Sequence, residues 1–155
     1  MRHAIAIRPV RPNELTTLNR IARAAKAHWG YAEELLDAWQ DDLTVDPGTL
    51  ADRPVFVAED AAGPAGFIQV ATDTTPWEIW ALWVSPDRMR RGIGRALVEQ
   101  ACRFARDAGI AELGIDADPN AEAFYRAMGA RRVGSVPAPI AGEPDRARPQ
   151  LVLPA

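Results

Sequence analysis

The strongest constraint on the fold is the stretch from residue 82 to residue 97, Leu-Trp-Val-Ser-Pro-Asp-Arg-Met-Arg-Arg-Gly-Ile-Gly-Arg-Ala-Leu. An apolar run ends at Pro86, a basic turn with two glycines follows, and apolar residues at helical spacing predict a helix over 93–107. Gly109 provides the expected C-terminal stop. A strand, a turn and a long helix in this order predict a crossover connection inside a sheet.

The basic turn also has the properties of an anion site. A helix start presents unpaired backbone N–H groups and the positive end of a dipole. Gly92 and Gly94 let the backbone approach an anion because neither carries a Cβ atom. Arg90, Arg91 and Arg95 add guanidinium donors that match phosphate oxygens. We therefore predict a diphosphate-bearing cofactor here; the alternative is a solvated charged turn.

Composition limits the class of ligand. The chain has 155 residues, 48% hydrophobic content and a net charge of −3, which favours one globular domain over 1–155 and disfavours general binding to nucleic acid or a membrane surface. No apolar run approaches the ~20 residues of a membrane-spanning helix, and the N-terminus lacks the pattern of a signal peptide. Cys102 is the only cysteine and is predicted to be a core residue, so we expect a reducing, cytoplasmic location.

The whole chain predicts the order β-α-α-β-β-β-α-β-α-β-β, an α/β fold with a mixed sheet and helices on both faces. Asn13 is predicted to cap a first helix over 14–28, and a second helix is predicted over 31–42. A short helix is predicted over 119–128 and a loop over 137–149. The predicted strands are 4–9, 54–59, 65–72, 77–84, 111–117, 131–136 and 149–153.

Two common phosphate motifs do not fit the turn. A dinucleotide fingerprint needs a third glycine where the chain has Leu97, and it usually lies in the first βαβ unit rather than in the middle of a chain. A P-loop needs a lysine after its last glycine, and Gly94 is followed by Arg95. These exclusions leave one interpretation, a diphosphate held by a short glycine turn between a strand and a helix.

At these residues the chain resembles the GNAT superfamily of acyl-CoA-dependent N-acetyltransferases. The cofactor motif of that family, Gln/Arg-x-x-Gly-x-Gly/Ala after a Val-x-Pro strand end, is similar to residues 84–86 and 89–94, although Met89 replaces the usual Gln or Arg. Residues 120–130 resemble its second signature, Asn-x-x-Ala-x-x-Phe/Tyr-Tyr-x-x-x-Gly-Phe, with Ala130 in the place of Phe.

The resemblance is strong over 78–134 and implies a GNAT-like fold, with acetyl-CoA in a cleft where the fourth and fifth strands splay apart. The pyrophosphate is expected on the N–H groups of 90–95, and the pantetheine beside 82–84, where a strand N–H would polarise the thioester carbonyl. The cofactor-binding residues implied are Leu82, Trp83, Val84, Arg90, Arg91, Gly92, Ile93, Gly94, Arg95 and Asn120. Asn120 has a turn or cap role as its alternative.

The resemblance further implies direct attack by an amine, without a protein nucleophile. Tyr125 matches the general acid of the family, since a phenol with a pKa of ~10 can protonate a leaving thiolate; the alternative is a core tyrosine. Glu78 is the candidate general base, placed by alternation on one face of the fourth strand with Trp80, Leu82 and Val84. His28 and bulk water are the alternatives, since a histidine side chain ordinarily has a pKa near neutrality.

The amine acceptor is expected opposite the cofactor, beside the first two helices. Trp29, Tyr31 and Trp80 are candidate acceptor contacts, together with Trp39 and Trp77, because an aromatic wall suits a cationic or flat amine; core packing is the alternative. A small molecule and a peptide or protein terminus fit equally well as acceptors.

The sequence predicts no metal site, and it leaves open a homodimer through the last strands. A non-catalytic acyl-CoA-binding module is the alternative function. The segment from Lys26 to Tyr31 also resembles a feature of some bacterial members.

Overall fold

The structure, a computed structural model, describes residues 4–155, and its order of helices and strands is the predicted one. The helices are α1 (Leu15–Ala27), α2 (Glu33–Ala38), α3 (Ile93–Asp107) and α4 (Glu122–Ala127). The strands are β1 (Ala6–Pro9), β2 (Val55–Asp60), β3 (Gly63–Ala71), β4 (Glu78–Val84), β5 (Glu112–Asp116), β6 (Arg131–Pro137) and β7 (Ala147–Pro154).

The seven strands form one sheet in the order β1-β2-β3-β4-β5-β7-β6. All neighbours are antiparallel except β4 and β5, which are parallel because α3 crosses over between them. The β4–β5 pairing consists of two residue pairs, Glu78 with Gly114 and Ile79 with Ile115, after which the strands part. The predicted mixed sheet with a splayed centre is confirmed.

The two faces of the sheet are covered by different helices, as the sequence predicts. On one face, Leu18, Ile21 and Ala22 of α1 pack against strand residues that include Val57 and Phe67. The opposite face carries the larger core, in which α3 packs on β3, β4 and β5. The buried residues of α3 are Ile93, Leu97, Val98, Ala101, Cys102 and Ala105.

Two predicted helix details are wrong. Asn13 does not cap α1, because it lies inside a 3-10 turn, Pro12–Glu14, and the cap position is Glu14, which makes no side-chain cap bond. The Glu14 carboxylate instead accepts hydrogen bonds from the Arg8 guanidinium at 2.8 and 2.6 Å. Helix α2 is shorter than predicted because Trp39 leaves helical geometry, with φ −94° and ψ 3°.

A β-bulge interrupts the alternation of β4. Val70 of β3 lies opposite Ile79, and the next pair joins Gln69 to Ala81. Trp80 is therefore an extra residue in β4, with no partner in β3. A bulge depends on the partner strand, so alternation along a single strand does not predict it.

The bulge corrects the predicted faces of β4. Ile79, rather than Glu78 or Trp80, shares the α3 face with Leu82 and Val84. Glu78 precedes Ile79 and points to the other face, while the Trp80 side chain is half exposed. The prediction that Glu78 and Trp80 share one face of β4 with Leu82 and Val84 is therefore wrong.

The predicted loop over 137–149 is shorter in the structure. β6 continues to Pro137 and β7 begins at Ala147, which leaves 138–146 as the connection. The connection folds back on itself, since the Arg146 guanidinium donates to the Ala138 carbonyl at 2.9 Å. This places Arg146 beside the opening between β4 and β5, where it lines a cleft.

Candidate functional site

A cleft of about 650 Å³ opens where β4 and β5 part. Its walls come from both strands, from the segment after α2 and from the start of α4. A volume of this size accepts a small-molecule ligand. The separation of the two strands at the middle of the sheet creates the cleft, so its position follows from the topology.

The turn before α3 is shaped to bind an anion. Arg90 and Gly92 both have left-handed backbone conformations, with φ 65° and 79°, and such turns aim successive N–H groups at one point. The side chains of Arg90, Arg91 and Arg95 are exposed, and none has a carboxylate oxygen within 4.0 Å among residues 4–155. Unpaired guanidinium groups around a helix start favour a phosphate ligand.

Two neighbours of the turn have roles that differ from the predicted ones. The Cβ of any larger residue at Gly94 would lie 3.3 Å from the Phe124 ring, so Gly94 permits close packing of α3 against α4. Arg88, the first arginine of the turn, is held by Asp60 at 3.4 Å, so it is not available to take the place of the Gln or Arg that Met89 replaces. The free cations of the turn are therefore the three exposed arginines.

The edge of β4 that faces the cleft is open. Leu82, Trp83 and Val84 pair with β3 on one side, but the β5 pairing ends at Ile79. The backbone groups that point toward β5 along 82–84 therefore have no strand partner, and an open edge of this kind can bind an extended ligand. This edge leads directly into the turn before α3.

Tyr125 lies on α4, lines the cleft and is 6% exposed. Its hydroxyl makes no hydrogen bond with any residue that the structure describes. Burial raises the pKa of this phenol above its ordinary value. The side chain is therefore protonated at neutral pH and available as a proton donor.

The two candidate bases differ in position. Glu78 lines the cleft, beside Gly114 of β5, and is half-buried. His28 is exposed at the C-terminal end of α1 and does not line the cleft. The structure thus brings Glu78, but not His28, to the same space as Tyr125.

Lys26, Asp118 and Arg146, whose side chains are largely buried, line the other wall of the cleft. We call these three residues and the half-buried Tyr31 the Asp118 cluster. Asp118 Oδ2 accepts from Lys26 Nζ at 2.5 Å and from the Tyr31 hydroxyl at 2.9 Å. Arg146 Nη2 lies 3.0 Å from the Tyr31 hydroxyl and 3.5 Å from Asp118 Oδ2. The cluster joins α1, the segment after it, the turn before α4 and the β6–β7 connection.

Asp118 also organises the turn that leads to Tyr125. Its Oδ1 accepts from the Asn120 backbone N–H at 2.8 Å and from the Asn120 side-chain amide at 2.9 Å. Burial alone would raise the pKa of Asp118, but hydrogen bonds from Lys26 and the Asn120 N–H outweigh it, so this pKa is lowered. The Asn120 amide is thus engaged locally.

Aromatic rings surround the Lys26 ammonium. Its Nζ lies 4.7 Å from the ring centroid of Trp39, 5.0 Å from Tyr31 and 5.8 Å from Trp29, distances typical of cation–π contacts. Trp83 contributes a fourth ring at 5.9 Å. The protein's own cation thus occupies the space between the aromatic side chains of this wall.

The remaining tryptophans lie apart. Trp80 lines the cleft, with the Arg53 guanidinium carbon 3.9 Å from its ring centroid. Trp77 packs on Phe104 of α3, with ring centroids 5.5 Å apart, and does not line the cleft. Trp77 is therefore a core residue, the alternative stated for it above.

Sequence reasoning missed Lys26, Asp118 and Arg146 as members of the site. Asp118 lies two residues before the second signature. Lys26 is the only lysine of the chain, a signal that could have drawn attention to it. Nothing in the pattern of the β6–β7 connection indicates that Arg146 reaches the cleft.

Within residues 4–155, no group of three or more His, Cys, Asp or Glu side chains is arranged to hold a metal ion. None of the helices in this range has both the length and the apolar character of a membrane span.

Comparisons with known proteins agree with this geometry. Residues 17–130 match the sequence model of the acetyltransferase (GNAT) family. The chain is similar to a GCN5-related N-acetyltransferase from Rhodopseudomonas palustris, with 25% identity, a TM-score of 0.81, and coverage of 100% of this chain and 99% of that one.

Two further solved structures share the fold at lower identity. The PaiA N-acetyltransferase from Thermoplasma acidophilum, in complex with coenzyme A, has 18% identity and a TM-score of 0.76, with coverage of 98% of this chain and 99% of that one. The ribosomal-protein-S18-alanine N-acetyltransferase from Escherichia coli has 17% identity and a TM-score of 0.73, with coverage of 97% and 94%.

Proposed function

Because the chain belongs to the acetyltransferase (GNAT) family, we propose that it transfers an acetyl group from acetyl-CoA directly to a primary amine of a small molecule or of a peptide or protein terminus. The observation that carries this proposal is the left-handed turn at Arg90 and Gly92, at the end of the open β4 edge, surrounded by arginines that form no ion pair within residues 4–155. These features fit the two ends of a coenzyme A molecule, one anionic and one extended.

Different residues of the chain bind different parts of acetyl-CoA. The N–H groups over 90–95 and the side chains of Arg90, Arg91 and Arg95 bind the pyrophosphate. The open backbone of 82–84 pairs with the pantetheine, and one of its N–H groups polarises the thioester carbonyl. Asn120, whose amide is engaged with Asp118, supports the turn before α4 rather than the cofactor.

The amine nitrogen attacks the thioester carbonyl carbon, the C–N bond forms, and the C–S bond breaks. Tyr125 donates its phenolic proton to the departing thiolate, since a phenol is protonated at neutral pH and this hydroxyl has no hydrogen-bond partner among the described residues. Glu78 accepts the proton of the amine through water from the same cleft. Trp29, Tyr31 and Trp80 lie on the acceptor side.

The test is amine-dependent release of free thiol from acetyl-CoA, measured with Tyr125→Phe beside the unaltered protein. Loss of a proton donor lowers kcat about 100-fold, whereas the acetyl-CoA Kd from calorimetry stays within about twofold because the ring is retained. Acetyl-CoA binding without thiol release for any amine would indicate a non-catalytic acyl-CoA-binding module. An unchanged kcat in Tyr125→Phe would remove the proton-donor role.

Four further points are predictions: a single domain over 1–155, a homodimer, a cytoplasmic location, and the use of acetyl rather than a longer acyl group. Gel filtration at two protein concentrations tests the dimer. Competition between acetyl-CoA and longer acyl-CoA thioesters in the thiol assay tests the donor.

A further inference from the structure

Two cations of the acceptor wall share one carboxylate. Lys26 Nζ lies 2.5 Å and Arg146 Nη2 lies 3.5 Å from the same oxygen, Asp118 Oδ2. The exposed fractions of these three side chains are 14%, 7% and 6%. No other carboxylate oxygen of the described chain lies within 4.0 Å of either cation. The Asp118 cluster therefore carries one positive charge more than its own carboxylate balances, in a place with little water.

The other acidic residues that line the cleft do not balance this charge. Asp116 pairs with Arg148, at 2.9 and 3.2 Å, and Asp46 accepts the N–H of Gly48 in its own turn. Asp41 and Asp42 are exposed to solvent, and Glu78, the candidate base, forms no ion pair with Lys26 or Arg146. Arg148 and Asp116 thus balance each other's charge, although each lies only two residues along the chain from a member of the Asp118 cluster.

The hydrogen bonds of the cluster leave donors unused. An ammonium has three N–H donors, and Asp118 is the one described hydrogen-bond acceptor of Lys26. The aromatic rings around Lys26 interact with its charge but offer no strong acceptor. A largely buried cation with unused donors favours an anionic partner from the cleft, since desolvation of an uncompensated charge is costly.

The same geometry argues against a cationic group at this wall. The rings of Tyr31 and Trp39, at 5.0 and 4.7 Å from Lys26 Nζ, already surround an ammonium. A second ammonium placed there would meet a net positive charge. The reactive amine of the acceptor therefore lies nearer Tyr125, and a different part of the acceptor faces the Asp118 cluster.

We propose that Lys26 and Arg146 form a subsite for a carboxylate of the acceptor, so that the acceptor is an amine that also carries a carboxylate, as a free amino acid does. This inference rests on the proposed function, because it assigns the acceptor of that reaction. The guanidinium and the ammonium supply donors of the kind that carboxylates accept, and the excess charge of the cluster balances the charge of the ligand.

The first experiment needs no variant. Free amino acids and their carboxamides, which differ only in the anionic group, are compared as acceptors by kcat/KM in the thiol-release assay, with aminophosphonates as a second anion. In parallel, each compound is titrated into the protein while intrinsic tryptophan fluorescence is recorded, because three tryptophan rings surround Lys26. We expect at least one free amino acid to exceed its carboxamide about tenfold or more in kcat/KM, and to change the fluorescence at lower concentration.

The second experiment locates the recognition. Lys26→Met is expected to reduce the preference for the free acid to about threefold or less, with an unchanged acetyl-CoA Kd. Arg148→Gln removes an arginine of the same cleft that has its own carboxylate, so it is the matched control and keeps the preference. Arg146→Gln provides a second test of the subsite if Lys26→Met does not fold.

The outcomes separate the carboxylate subsite from the proposed function. Equal use of acids and carboxamides overturns the carboxylate subsite and leaves the acetyltransferase proposal intact. A preference for aminophosphonates over amino acids, or a preference that survives Lys26→Met and Arg146→Gln, also overturns it. The same holds if no compound changes the fluorescence or supports thiol release. Failure of acetyl-CoA itself to bind is a separate result, which contradicts the proposed function.

Discussion

The two sides of the cleft are built in opposite ways. The cofactor side comes from one continuous stretch, 82–95, whose donors are backbone groups and exposed arginines without ion pairs among the described residues. The acceptor side comes from three distant segments, joined by the half-buried residues Lys26, Tyr31, Asp118 and Arg146. Changes on the cofactor side should therefore affect binding more than folding, whereas changes in the Asp118 cluster should affect both.

The largest expected effect is the loss of stability in Asp118→Asn. This substitution leaves two largely buried cations without their carboxylate, which costs about 3–5 kcal/mol of unfolding free energy. The corresponding fall in Tm is about 10 °C for a chain of this length. Asp116→Asn is the matched control: its pair with Arg148 is 45% and 42% exposed, so about 1 kcal/mol or less is expected. Thermal unfolding of the three proteins measures both values.

The pH dependence gives this prediction a second test. The pKa of Asp118 is lowered in the folded protein, so its contribution is fully present above the unfolded value of about 3.9 and is lost as the pH falls through the lower folded value. The difference in unfolding free energy between the unaltered protein and Asp118→Asn should therefore be constant above about pH 5 and narrow as the pH falls below about 4. A difference that stays constant, or equal losses in Asp118→Asn and Asp116→Asn, would contradict the assigned role of the cluster.

The second largest expected effect is the loss of acetyl-CoA affinity in Gly92→Ala, on the cofactor side. Gly92 and Gly109 share a φ of 79°, and a Cβ at either would meet open space. Alanine at each position has the same backbone strain, about 1–2 kcal/mol of stability. Only Gly92→Ala introduces a methyl group and a displaced turn beside the proposed pyrophosphate site, so we expect its acetyl-CoA affinity to fall about tenfold or more. Calorimetric titration of both variants provides the measurement.

The control here is internal, since the two variants should be equally destabilised. If Gly92→Ala binds acetyl-CoA as tightly as Gly109→Ala, the turn before α3 is not where the diphosphate lies. If both lose affinity together, the cause is a general loss of stability.

The same contrast explains how much the sequence predicts. Helix α3 has the predicted bounds because an amphipathic pattern and Gly109 lie within one stretch of chain. The bulge at Trp80 depends on the pairing with β3, and the contact of Lys26 with Asp118 joins residues 92 positions apart. Local patterns predict the element order and the anion turn, but side-chain contacts between distant segments follow only from the packed fold.

The smallest expected effect is that of Trp80→Ala, which tests whether the bulge contributes to the acceptor side. Trp80 is 50% exposed, with one ring face against Arg53, so its loss should lower stability by less than about 1 kcal/mol. If the free ring face contacts the acceptor, KM for the amine should rise about threefold with kcat nearly unchanged, because a contact of ~0.5–1 kcal/mol is lost. Trp77→Ala should show the reverse, since Trp77 packs on Phe104 in the core: lower Tm and an unchanged KM. Steady-state kinetics and thermal unfolding of the two variants separate these cases, and an unchanged KM in Trp80→Ala would confine the acceptor contacts to the wall that Lys26 and Arg146 form.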